Sequence, residues 1–500
     1  MSFAHLLQLN RQRSQPLYRQ IAEQIRVQIG EGRLPAGTRL PTVRQLAEAL
    51  GVTRVTAQNA YSELQANGLV ESTVGRGTFV VGSPQTDELI TAIVKEDTPD
   101  RAMNTMQLLD QIAGLRSFAY AEPDPGLFPL DDFRLAFNSM SETLQDLMLY
   151  GSPQGDPALR VEIATMLGEQ GIACVPDDII VTAGVSQGLA LVTLACLDDS
   201  NPHKITDGSK IAVDQPVYLG LMRLLTTTQV QPVGVPWDSD GPRLDILEQA
   251  IVLDGIKFFY TSANFQNPTG YCMSESRRTA LLAMADRYQL YIVEDDSYGQ
   301  LDYGDTHLKS LKAVDKHERV IYLNGFSKIV MPGLRLGYVL APPQLRERLS
   351  YMRRTLDLSG ALYLQRAMAH FLHRGRLKVH LRRVLPRMRE RRDALLQALQ
   401  STMPPGVQWT RPDGGFCCWL TLPPGQYDDL YHLALRHGVA FTPGNAFLVE
   451  SDGAVHMRLC FGRQSPENIA EGIAILAQLI RGNNPNATRL RSMQHDWPLV

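Results

Sequence analysis

The N-terminal part of the chain carries apolar side chains at the spacing of amphipathic helices. This spacing predicts one helix over Pro16–Ile29 and a short second helix over Val43–Leu50. Gly51-Val52-Thr53 predicts a tight turn. The third helix that follows places its apolar residues on one side: Ala57, Ala60, Tyr61 and Leu64. Two short helices joined by a glycine-containing turn are typical of a helix-turn-helix.

Two strand-like runs follow the third helix, Leu69–Thr73 and Thr78–Val81. The glycine-containing segment Val74-Gly75-Arg76-Gly77 joins them, so the pair is predicted to form a β-hairpin wing. Residues 1–82 are therefore predicted to be a winged helix-turn-helix domain.

From Phe118 to about Gly482, short apolar runs alternate with helical patterns. The alternation favours an α/β domain with parallel strands. The runs that predict strands are Ile179–Val181, Lys210–Val213, Phe258–Tyr260, Tyr291–Val293 and Val320–Leu323. Composition sets the expected boundaries: a polar, proline-containing linker at residues 83–115, the α/β body at 116–482, and a loosely held tail at 483–500.

The apolar stretch Ile179–Leu197 is long enough to cross a bilayer, but glycine, serine, threonine and glutamine interrupt it. We interpret it as a strand, a turn and a helix, and not as a membrane span. The N-terminus lacks the apolar segment of a secretory signal. We therefore expect a cytoplasmic protein without a membrane partner.

Charge divides unevenly along the chain. The 500 residues carry a formal net charge of −3, and their number exceeds the ~250–300 residues at which single cores stop growing. Residues 1–82 contain nine arginines, no lysine and five acidic residues, a net charge of +4, which leaves −7 on the remainder. A small basic head on an acidic body is typical of a nucleic-acid-binding unit joined to a second domain.

The cysteines are few for this length and none forms a C-x-x-C pair. This usage predicts a reduced cytosolic chain with buried thiols. The adjacent Cys417 and Cys418 leave a redox role open, although a place in the core is the simpler interpretation.

The third helix presents mostly uncharged hydrogen-bonding side chains on its outer face, as a helix that reads base edges in the major groove requires. Arg44 begins the second helix, where it can bond a phosphate, and Arg76 lies at the wing tip. The alternative is a three-helix bundle that binds a protein. The predicted contacts to DNA are Arg44, Thr53, Arg54, Thr56, Gln58, Gly75 and Arg76.

The candidate chemistry of the body centres on Lys328, in the segment Asn324-Gly325-Phe326-Ser327-Lys328. Pyridoxal phosphate needs a lysine that forms a Schiff base, a carboxylate at its pyridine nitrogen and a donor to its phenolate oxygen. It also needs an aromatic ring against its own ring and a cup for its phosphate. The surrounding sequence offers a candidate for each requirement.

The candidate carboxylate is Asp295, which ends the predicted strand Tyr291–Val293, with Asp296 as its rival. Ligands bind at the carboxyl ends of strands in open α/β sheets. The Asp-x-x-Tyr spacing to Tyr298 favours Asp295. A helix cap would be the ordinary role of an isolated acidic pair.

Asn267, in Asn267-Pro268-Thr269-Gly270, and Tyr298 are candidate donors to the phenolate oxygen, and Tyr218 is the candidate aromatic ring. Gly184-Val185-Ser186-Gln187 opens a predicted helix, whose free N–H groups suit a phosphate. Arg335 would add a charged bond to that phosphate. Each segment alone has an ordinary explanation, namely a turn, a core aromatic or a helix start.

The head resembles the GntR family of bacterial winged-helix regulators over Leu40–Val80. This resemblance implies that the residue types at Arg44, Arg54, Thr56 and the Gly75–Gly77 wing contact operator DNA. The usual Ser-Glu is Thr42-Val43 here, and Gln58 stands where an arginine is frequent. The operator sequence therefore does not carry over.

The body resembles fold-type I pyridoxal-phosphate enzymes of the class I and II aminotransferase group over about Phe118–Gly482, most specifically in Ser327-Lys328 and Pro332-Gly333-Leu334-Arg335. The resemblance implies an internal aldimine at Lys328 and a homodimer with shared active sites. It implies further that Tyr150 reaches the phosphate of the neighbouring subunit and that Arg458 binds a substrate carboxylate.

Two residues depart from the pattern of the group. Gly325 stands where many members have serine or threonine, which removes one hydroxyl from the phosphate cup. Ala121 stands where a glycine usually lines the substrate pocket, which predicts a narrower pocket.

Head and body together resemble the MocR subfamily of GntR regulators. The predicted function is a transcription regulator that binds double-stranded operator DNA and senses an amine, an amino acid or a B6 vitamer by aldimine exchange at Lys328. An active aminotransferase with an accessory head is the alternative. A third hypothesis treats the cofactor as a structural element of a constitutive repressor. The predicted cofactor residues are Lys328, Asp295, Tyr298, Asn267, Tyr218, Val185, Ser186, Arg335, Tyr150 and Ser327, and no metal ligands are expected.

Overall fold

The computed structural model describes residues 7, 9, 16–30, 34, 38–66, 69–73, 77–80, 109, 112, 114–140, 144–197, 208–304 and 308–482. Most of the predicted linker, the whole predicted tail and the wing residues Gly75 and Arg76 lie outside the described residues. The described residues divide into two compact units, one formed by those within the ranges 1–117, 426–440 and 475–482, and the other by those within 118–425 and 441–474.

The helices share a length of one to several turns and are separated mostly by strands. They are α1 (Leu17–Gly30), α2 (Val43–Leu50), α3 (Arg54–Ala66), α4 (Leu130–Ser139), α5 (Leu144–Leu147), α6 (Pro157–Glu169), α7 (Val185–Leu197), α8 (Leu219–Thr228), α9 (Leu244–Asp254), α10 (Glu275–Tyr288), α11 (Leu311–Val314), α12 (Pro343–Leu356), α13 (Leu362–Leu372), α14 (Arg376–Thr402), α15 (Leu430–Arg436) and α16 (Pro466–Gly482). Within the described ranges, no helix is both long enough and apolar enough to cross a membrane.

The strands are short, as in most globular domains. They are β1 (Val70–Thr73), β2 (Gly77–Val80), β3 (Arg116–Ser117), β4 (Ile179–Thr182), β5 (Lys210–Gln215), β6 (Gln231–Pro236), β7 (Phe258–Thr261), β8 (Tyr291–Asp295), β9 (Val320–Gly325), β10 (Gly337–Leu340), β11 (Gln408–Trp409), β12 (Cys417–Thr421), β13 (Val439–Ala440), β14 (Thr442–Pro443) and β15 (His456–Cys460). Short 3₁₀ turns lie at Pro125–Leu127, Pro176–Asp178, Pro332–Leu334, His373–Gly375 and Gly444–Phe447.

The head has the predicted winged helix-turn-helix order. α2 begins at a capping box between Thr42 and Gln45 and ends at Gly51, whose φ of 61° is the left-handed conformation that a glycine adopts without strain. β1 and β2 form the antiparallel wing hairpin with Val70 opposite Val80. The four residues predicted to face inward on α3 are buried in the core of the head: Ala57, Ala60, Tyr61 and Leu64.

A seven-stranded sheet in the order β4-β10-β9-β8-β7-β5-β6 forms the centre of the body. All five predicted strands are present in it. β5 to β9 pair in parallel as expected, whereas β10 is antiparallel to both β4 and β9. The sequence predicted only parallel strands. The connection from β9 to β10 holds a single 3₁₀ turn, and a parallel return needs a longer crossover, usually with a helix.

Helices cover both faces of this sheet. One apolar cluster joins the sheet to α7, α8 and α12, through residues such as Val192, Leu221 and Leu349. A second cluster joins the other face to α9 and α10 through Leu247 and Leu281. Because both faces are buried, the central strands are apolar over most of their length, and their polar residues gather at the carboxyl ends, as in the Glu294-Asp295 end of β8.

Two smaller sheets complete the fold. β11, β12, β15 and β14 form an antiparallel sheet in that order, and Arg458 lies on β15. β3 pairs in parallel with β13.

Candidate functional site

The carboxyl ends of the central strands meet at one pocket. Its lining consists of residues at or just after the ends of β4, β5, β7, β8 and β9, together with one residue before β10. They are Val185, Ser186, Tyr218, Ser262, Asn267, Asp295, Ser297, Tyr298, Gly325, Ser327, Lys328 and Arg335. The structure therefore brings together all the predicted cofactor residues except Tyr150.

Lys328 is half-buried in this pocket, and its Nζ donates to the Ala121 carbonyl oxygen at 2.7 Å. Burial lowers the pKa of Lys328, although the negative charge of Glu122 opposes the shift. A lowered pKa increases the fraction of neutral amine, which is the form that attacks a carbonyl carbon. This hydrogen bond also places Ala121, which stands where a glycine usually lines the substrate pocket, against Lys328 Nζ.

Asp295 is buried at the end of β8. Its Oδ2 accepts from the Tyr260 hydroxyl at 2.9 Å, and its Oδ1 accepts from the backbone N–H of Ser297 at 3.1 Å. Burial raises the pKa of Asp295, while the Ser297 and Tyr260 hydrogen bonds and the charge of Lys328 oppose the rise. Its recorded donors in the described chain are uncharged, so a cationic ring N–H fits this carboxylate.

The residues on either side of Asp295 have different partners. Asp296 accepts from the Asn264 amide at 2.9 Å and from the Tyr322 hydroxyl at 2.8 Å. Glu294 accepts from the backbone N–H groups of Leu311 and Lys312 at the start of α11. The structure thus places Asp295 in the pocket and its rival Asp296 in a separate hydrogen-bond network.

Tyr298 and Asn267 present unused donors near Lys328. The Tyr298 hydroxyl is buried and has no hydrogen-bond partner in the described chain. The Asn267 Oδ1 accepts from Arg458 Nη1 at 2.9 Å, and no protein partner is recorded for its amide nitrogen among the described residues. Because a buried hydroxyl without a partner is costly, its orphaned state suits a ligand oxygen.

The turn between β4 and α7 forms a cup for an anion. Gly184 has a φ of 89°, and a Cβ at this position would lie 3.2 Å from Arg335 Nη2. The guanidinium of Arg335 donates to the Ala183 carbonyl oxygen at 3.3 Å, and α7 begins at Val185. Free N–H groups at a helix N-terminus beside an arginine suit a phosphate.

Gly325 lies against this cup. A Cβ there would meet the Leu336 carbonyl oxygen at 3.1 Å and a Val185 methyl at 3.2 Å. The backbone at Gly325 therefore leaves little room for the hydroxyl-bearing residue found in many relatives of the group.

Tyr218 lies at the start of α8 and lines the pocket. Burial raises the pKa of Tyr218, and the charge of Asp295 raises it further, while a hydrogen bond with Ser186 opposes the rise. The Tyr218 side chain thus lines the same pocket as the candidate carboxylate and the candidate phosphate cup.

Arg458 is buried beside the pocket. Besides Asn267, its Nη2 bonds the Ala119 carbonyl oxygen at 2.7 Å and the Thr442 hydroxyl at 3.1 Å, while its Nε has no partner in the described chain. Its guanidinium lies 4.8 Å from the ring centre of Phe447. A fixed guanidinium with an unused donor suits a carboxylate ligand.

Tyr150 lies outside this pocket, and 84% of its surface is exposed. It follows Met148 and Leu149, which are also exposed. The predicted contact of Tyr150 with a phosphate therefore requires a second subunit.

In the head, Arg54 and Gln58 are exposed on α3, as predicted. The Thr53 hydroxyl oxygen accepts from the Thr56 backbone N–H at 3.2 Å, which caps the start of α3, and the two hydroxyl groups also share a hydrogen bond at 2.8 Å. Arg44 is exposed on α2 and pairs with Glu48 at 2.8 Å. The remaining predicted contacts, Gly75 and Arg76, lie outside the described residues.

Sequence reasoning missed four residues of these surfaces. Tyr260 and Ser297 hold Asp295, and Ser262 lines the pocket. Their positions at the ends of β7 and β8 were a usable signal. Val55, 68% exposed on the first turn of α3, was missed because apolar residues on helices are first taken as core.

These residues fit pyridoxal phosphate. Among the described residues, the Tyr298 hydroxyl has no hydrogen-bond partner and the buried Asp295 accepts only from uncharged donors, so these groups match the phenolate oxygen and the ring nitrogen, while the glycine-lined cup beside Arg335 matches the phosphate.

Each half of the chain matches a family of known proteins. Residues 117–476 match the family aminotransferase class I and II, and residues 17–80 match the bacterial regulatory proteins of the gntR family. The chain is 30% identical to the uncharacterised HTH-type transcriptional regulator YdcR of Escherichia coli K12, over 93% of this chain and 99% of that protein. It is 27% identical to the probable rhizopine catabolism regulatory protein MocR of Rhizobium meliloti, over 94% of each.

The fold is similar to that of Pyrococcus horikoshii kynurenine aminotransferase, solved in complex with PMP, with a TM-score of 0.70 and 33% identity. The match covers 76% of this chain and 94% of that one. The predicted fold class, a helix-turn-helix head joined to an aminotransferase-like body, is confirmed. The chain belongs to the transcription regulators in which a GntR-family DNA-binding region is fused to an aminotransferase class I and II domain.

Proposed function

We propose that this regulator binds pyridoxal phosphate in its body and uses it to sense an amine, an amino acid or a B6 vitamer. The observation that carries the proposal is the pocket in which Lys328, Asp295 and Arg335 meet. It lies in a chain whose head belongs to a family of regulators.

The proposed domain boundaries are 1–82 for the winged helix-turn-helix, 83–115 for the linker, 116–482 for the body and 483–500 for the tail. The family matches at residues 17–80 and 117–476 fall within the proposed head and the proposed body, which supports this division.

Lys328 attaches the cofactor, Asp295 keeps the ring nitrogen protonated, and Tyr298 and Asn267 donate to the phenolate oxygen. Tyr218 would pack against the ring, and Val185, Ser186, Ser327 and Arg335 would hold the phosphate. When bound, pyridoxal phosphate supplies an aldehyde carbon that exchanges the lysine amine for the amine of a ligand. Tyr260 and Ser297 orient Asp295, and the carboxylate held in this way would orient the ring nitrogen.

The ligand also meets Arg458 if it has a carboxylate. The guanidinium is held by Asn267, Ala119 and Thr442, so little orientational entropy is lost when a carboxylate binds. If a ligand amine displaced Lys328, the Ala121 carbonyl oxygen, which accepts from Lys328 Nζ at 2.7 Å, would be able to hold the freed amine.

We further propose a cytoplasmic homodimer that presents two heads to two half-sites of double-stranded operator DNA. Tyr150 of each subunit would complete the phosphate site of the other. The proposed DNA contacts are those predicted from the sequence: Arg44, Thr53, Arg54, Thr56, Gln58, Gly75 and Arg76. A ligand regulates only if it binds one arrangement of the heads better than another.

Spectroscopy and DNA binding together test this function. Purified protein should show the near-visible absorbance of lysine-bound pyridoxal phosphate, and Lys328→Ala should lose it. The wild type should retard a fragment of its own upstream DNA, and an amine that perturbs the absorbance should alter the retardation. Absence of tight binding to any such fragment at moderate salt would overturn the regulator proposal. If Lys328→Ala changes stability but leaves the ligand response intact, the cofactor is only structural.

An active aminotransferase is the second candidate, because the structure disables none of the groups that the reaction needs and the kynurenine aminotransferase is 33% identical. The enzyme should convert an amino acid and a 2-oxo acid through repeated cycles. A single half-reaction that stops after one equivalent would contradict this candidate.

A further inference from the structure

Two buried thiols face each other across neighbouring strands. Cys417 on β12 and Cys460 on β15 are direct partners in the register, and their Sγ atoms lie 3.7 Å apart. The backbone N–H of Cys460 donates to Phe118, and that of Phe461 donates to Phe416. The cysteines thus occupy a non-hydrogen-bonded position, where Cα atoms lie about 4.5 Å apart. This separation falls at the lower end of the range of about 4.4–6.8 Å for disulfides.

The thiols touch the candidate carboxylate site. Cys417 Sγ lies 3.7 Å from Asn267 Oδ1, and this oxygen also accepts from Arg458 at 2.9 Å. Arg458 precedes Cys460 by two residues on β15, so both side chains lie on the same face of the strand. A movement of Cys417 would therefore displace the Asn267 side chain, which hydrogen-bonds Arg458.

The surroundings also favour a reactive thiol. Burial alone would raise the pKa of Cys460, but the hydrogen bond from Cys417 and the charges of Arg458 and Lys328 outweigh it and lower the pKa. The thiolate is the nucleophilic form of cysteine. Lys328 and Arg335 are partly exposed, so the neighbouring pocket is open to a small oxidant.

We propose that Cys417 and Cys460 form a reversible disulfide that weakens carboxylate binding at Arg458. The oxidant is a peroxide. The Cys460 thiolate attacks one peroxide oxygen and breaks the O–O bond, which gives a sulfenic acid and hydroxide. The Cys417 sulfur then displaces the hydroxyl group, and the protons leave in water. Two thiols and one hydrogen peroxide thus become one disulfide and two waters.

The expected consequence follows from distance. Bond formation brings the two sulfur atoms from 3.7 Å to about 2.05 Å apart. Cys417 then withdraws from Asn267, and the bond that orients Arg458 is disturbed. The loss of one such bond corresponds to roughly fivefold weaker carboxylate binding. This second step rests on the proposed function, whereas disulfide formation does not.

Cys418 offers a matched control. It is the neighbour of Cys417 on β12 and points to the other face, where its Sγ lies 3.2 Å from the Thr410 carbonyl oxygen. It is as buried as Cys417, so it tests burial without the facing partner.

The test treats full-length protein with hydrogen peroxide and maps disulfides by mass spectrometry under non-reducing conditions. The wild type and Cys418→Ser should lose two hydrogens at the peptide pair that contains Cys417 and Cys460, and a thiol reductant should reverse the change. Cys460→Ser and Cys417→Ala should each abolish it. Failure to form this pair in folded wild type would overturn the proposal.

The second measurement is the affinity for maleate, a dicarboxylate probe, before and after oxidation. Weaker binding in oxidised wild type and oxidised Cys418→Ser, with no change in Cys460→Ser, would support the coupling. An unchanged affinity despite a formed disulfide would overturn it. If maleate fails to bind even the reduced wild type, the assignment of Arg458 is wrong, and mass spectrometry still decides the disulfide.

Discussion

Three successive carboxylates at the end of β8 have three different surroundings. Glu294 caps α11, Asp295 faces the pocket, and Asp296 is held by Asn264 and Tyr322. A strand turns successive side chains to opposite faces, and the chain leaves the strand after Asp295. Similar residues therefore acquire separate roles through backbone direction alone.

Exchange of each carboxylate for an amide should separate these roles. Asp295→Asn should weaken pyridoxal phosphate binding by roughly tenfold or more, since a bond to a charged group is lost. The free energy of unfolding should change little. Asp296→Asn, the matched control, should instead lower stability by about 1 kcal/mol. Cofactor titration and urea unfolding of both variants measure the two effects, and equal cofactor affinities would contradict the assignment.

Asp214 predicts a pH dependence of stability. It is buried at the end of β5, where it accepts from the Trp237 indole N–H and the Ser262 backbone N–H, and burial raises its pKa to about 7. The folded state thus binds a proton more tightly than the unfolded state. Stability contributed by this proton is full at low pH and is lost as the pH rises toward about 7.

Asp214→Asn removes this titration. Between about pH 5 and about pH 8, the wild type should lose about 2–3 kcal/mol more stability than the variant. Thermal unfolding at several pH values gives the comparison. Parallel stability curves for the two proteins would show that Asp214 does not titrate in this range.

At the residue scale, the sequence predicted which residue types line the pocket better than it predicted which residues contact one another. That Lys328, Asp295 and Arg335 meet in one pocket was predictable, because the proposed chemistry needs those groups near strand ends. The support of Asp295 by Tyr260 was not, because the two residues lie on different strands and only the sheet register joins them. The pairing of Cys417 with Cys460 was hidden in the same way, since adjacency in sequence pointed to Cys418.

At the scale of elements, α3 carries both residues of the head's core and the proposed DNA-reading surface. Its buried alanines pack inward, while Val55, Gln58 and Asn59 leave the other face exposed. An exposed valine at the start of such a helix suits the methyl group of a thymine. The exposure of Val55 thus adds an apolar candidate for base contact to the hydrogen-bonding residues that the sequence had indicated on α3.

Val55→Ala should leave the thermal stability of the head unchanged, because the side chain is 68% exposed. Binding to the upstream fragment should weaken by about 1 kcal/mol from lost apolar contact. Replacement of thymine by uracil in the bound site should produce the same loss in the wild type and no further loss in the variant. Val27→Ala on α1, also exposed, is the control.

Strand prediction succeeded where apolar runs were continuous, as in β7 and β9. The reversed direction of β10 could not be predicted, because direction depends on the length of the connection and on the neighbour that the strand meets. Residues 337–340 form an apolar run, and such a run is compatible with a parallel strand and with an antiparallel strand alike.

At the scale of the whole molecule, the exposed run of Met148, Leu149 and Tyr150 bears on assembly. Its neighbour Gly151 bonds Ser359, next to the exposed Leu358. Contiguous exposed apolar residues are typical of an interaction surface. A homodimer would cover these side chains and bring Tyr150 to a second pocket.

Leu149→Asp should therefore shift the protein from dimer to monomer in sedimentation velocity and weaken pyridoxal phosphate binding at the same time. Leu253→Asp, at another exposed leucine 80% accessible on α9, should do neither. A Leu149→Asp protein that remains dimeric with full cofactor affinity would contradict this interface.

The antiparallel return of β10 also limits how this protein can change in evolution or by design. β9 and β10 pair directly, so the segment 326–336 that joins them has a fixed length. This segment carries both Lys328 and Arg335. An insertion of even one residue between them would change the distance between Lys328 Nζ and the Arg335 guanidinium, while the pocket residues on other segments stayed in place. Deep insertion scanning of the body should therefore find this segment intolerant of length change, while single substitutions at its solvent-facing Gly333 survive.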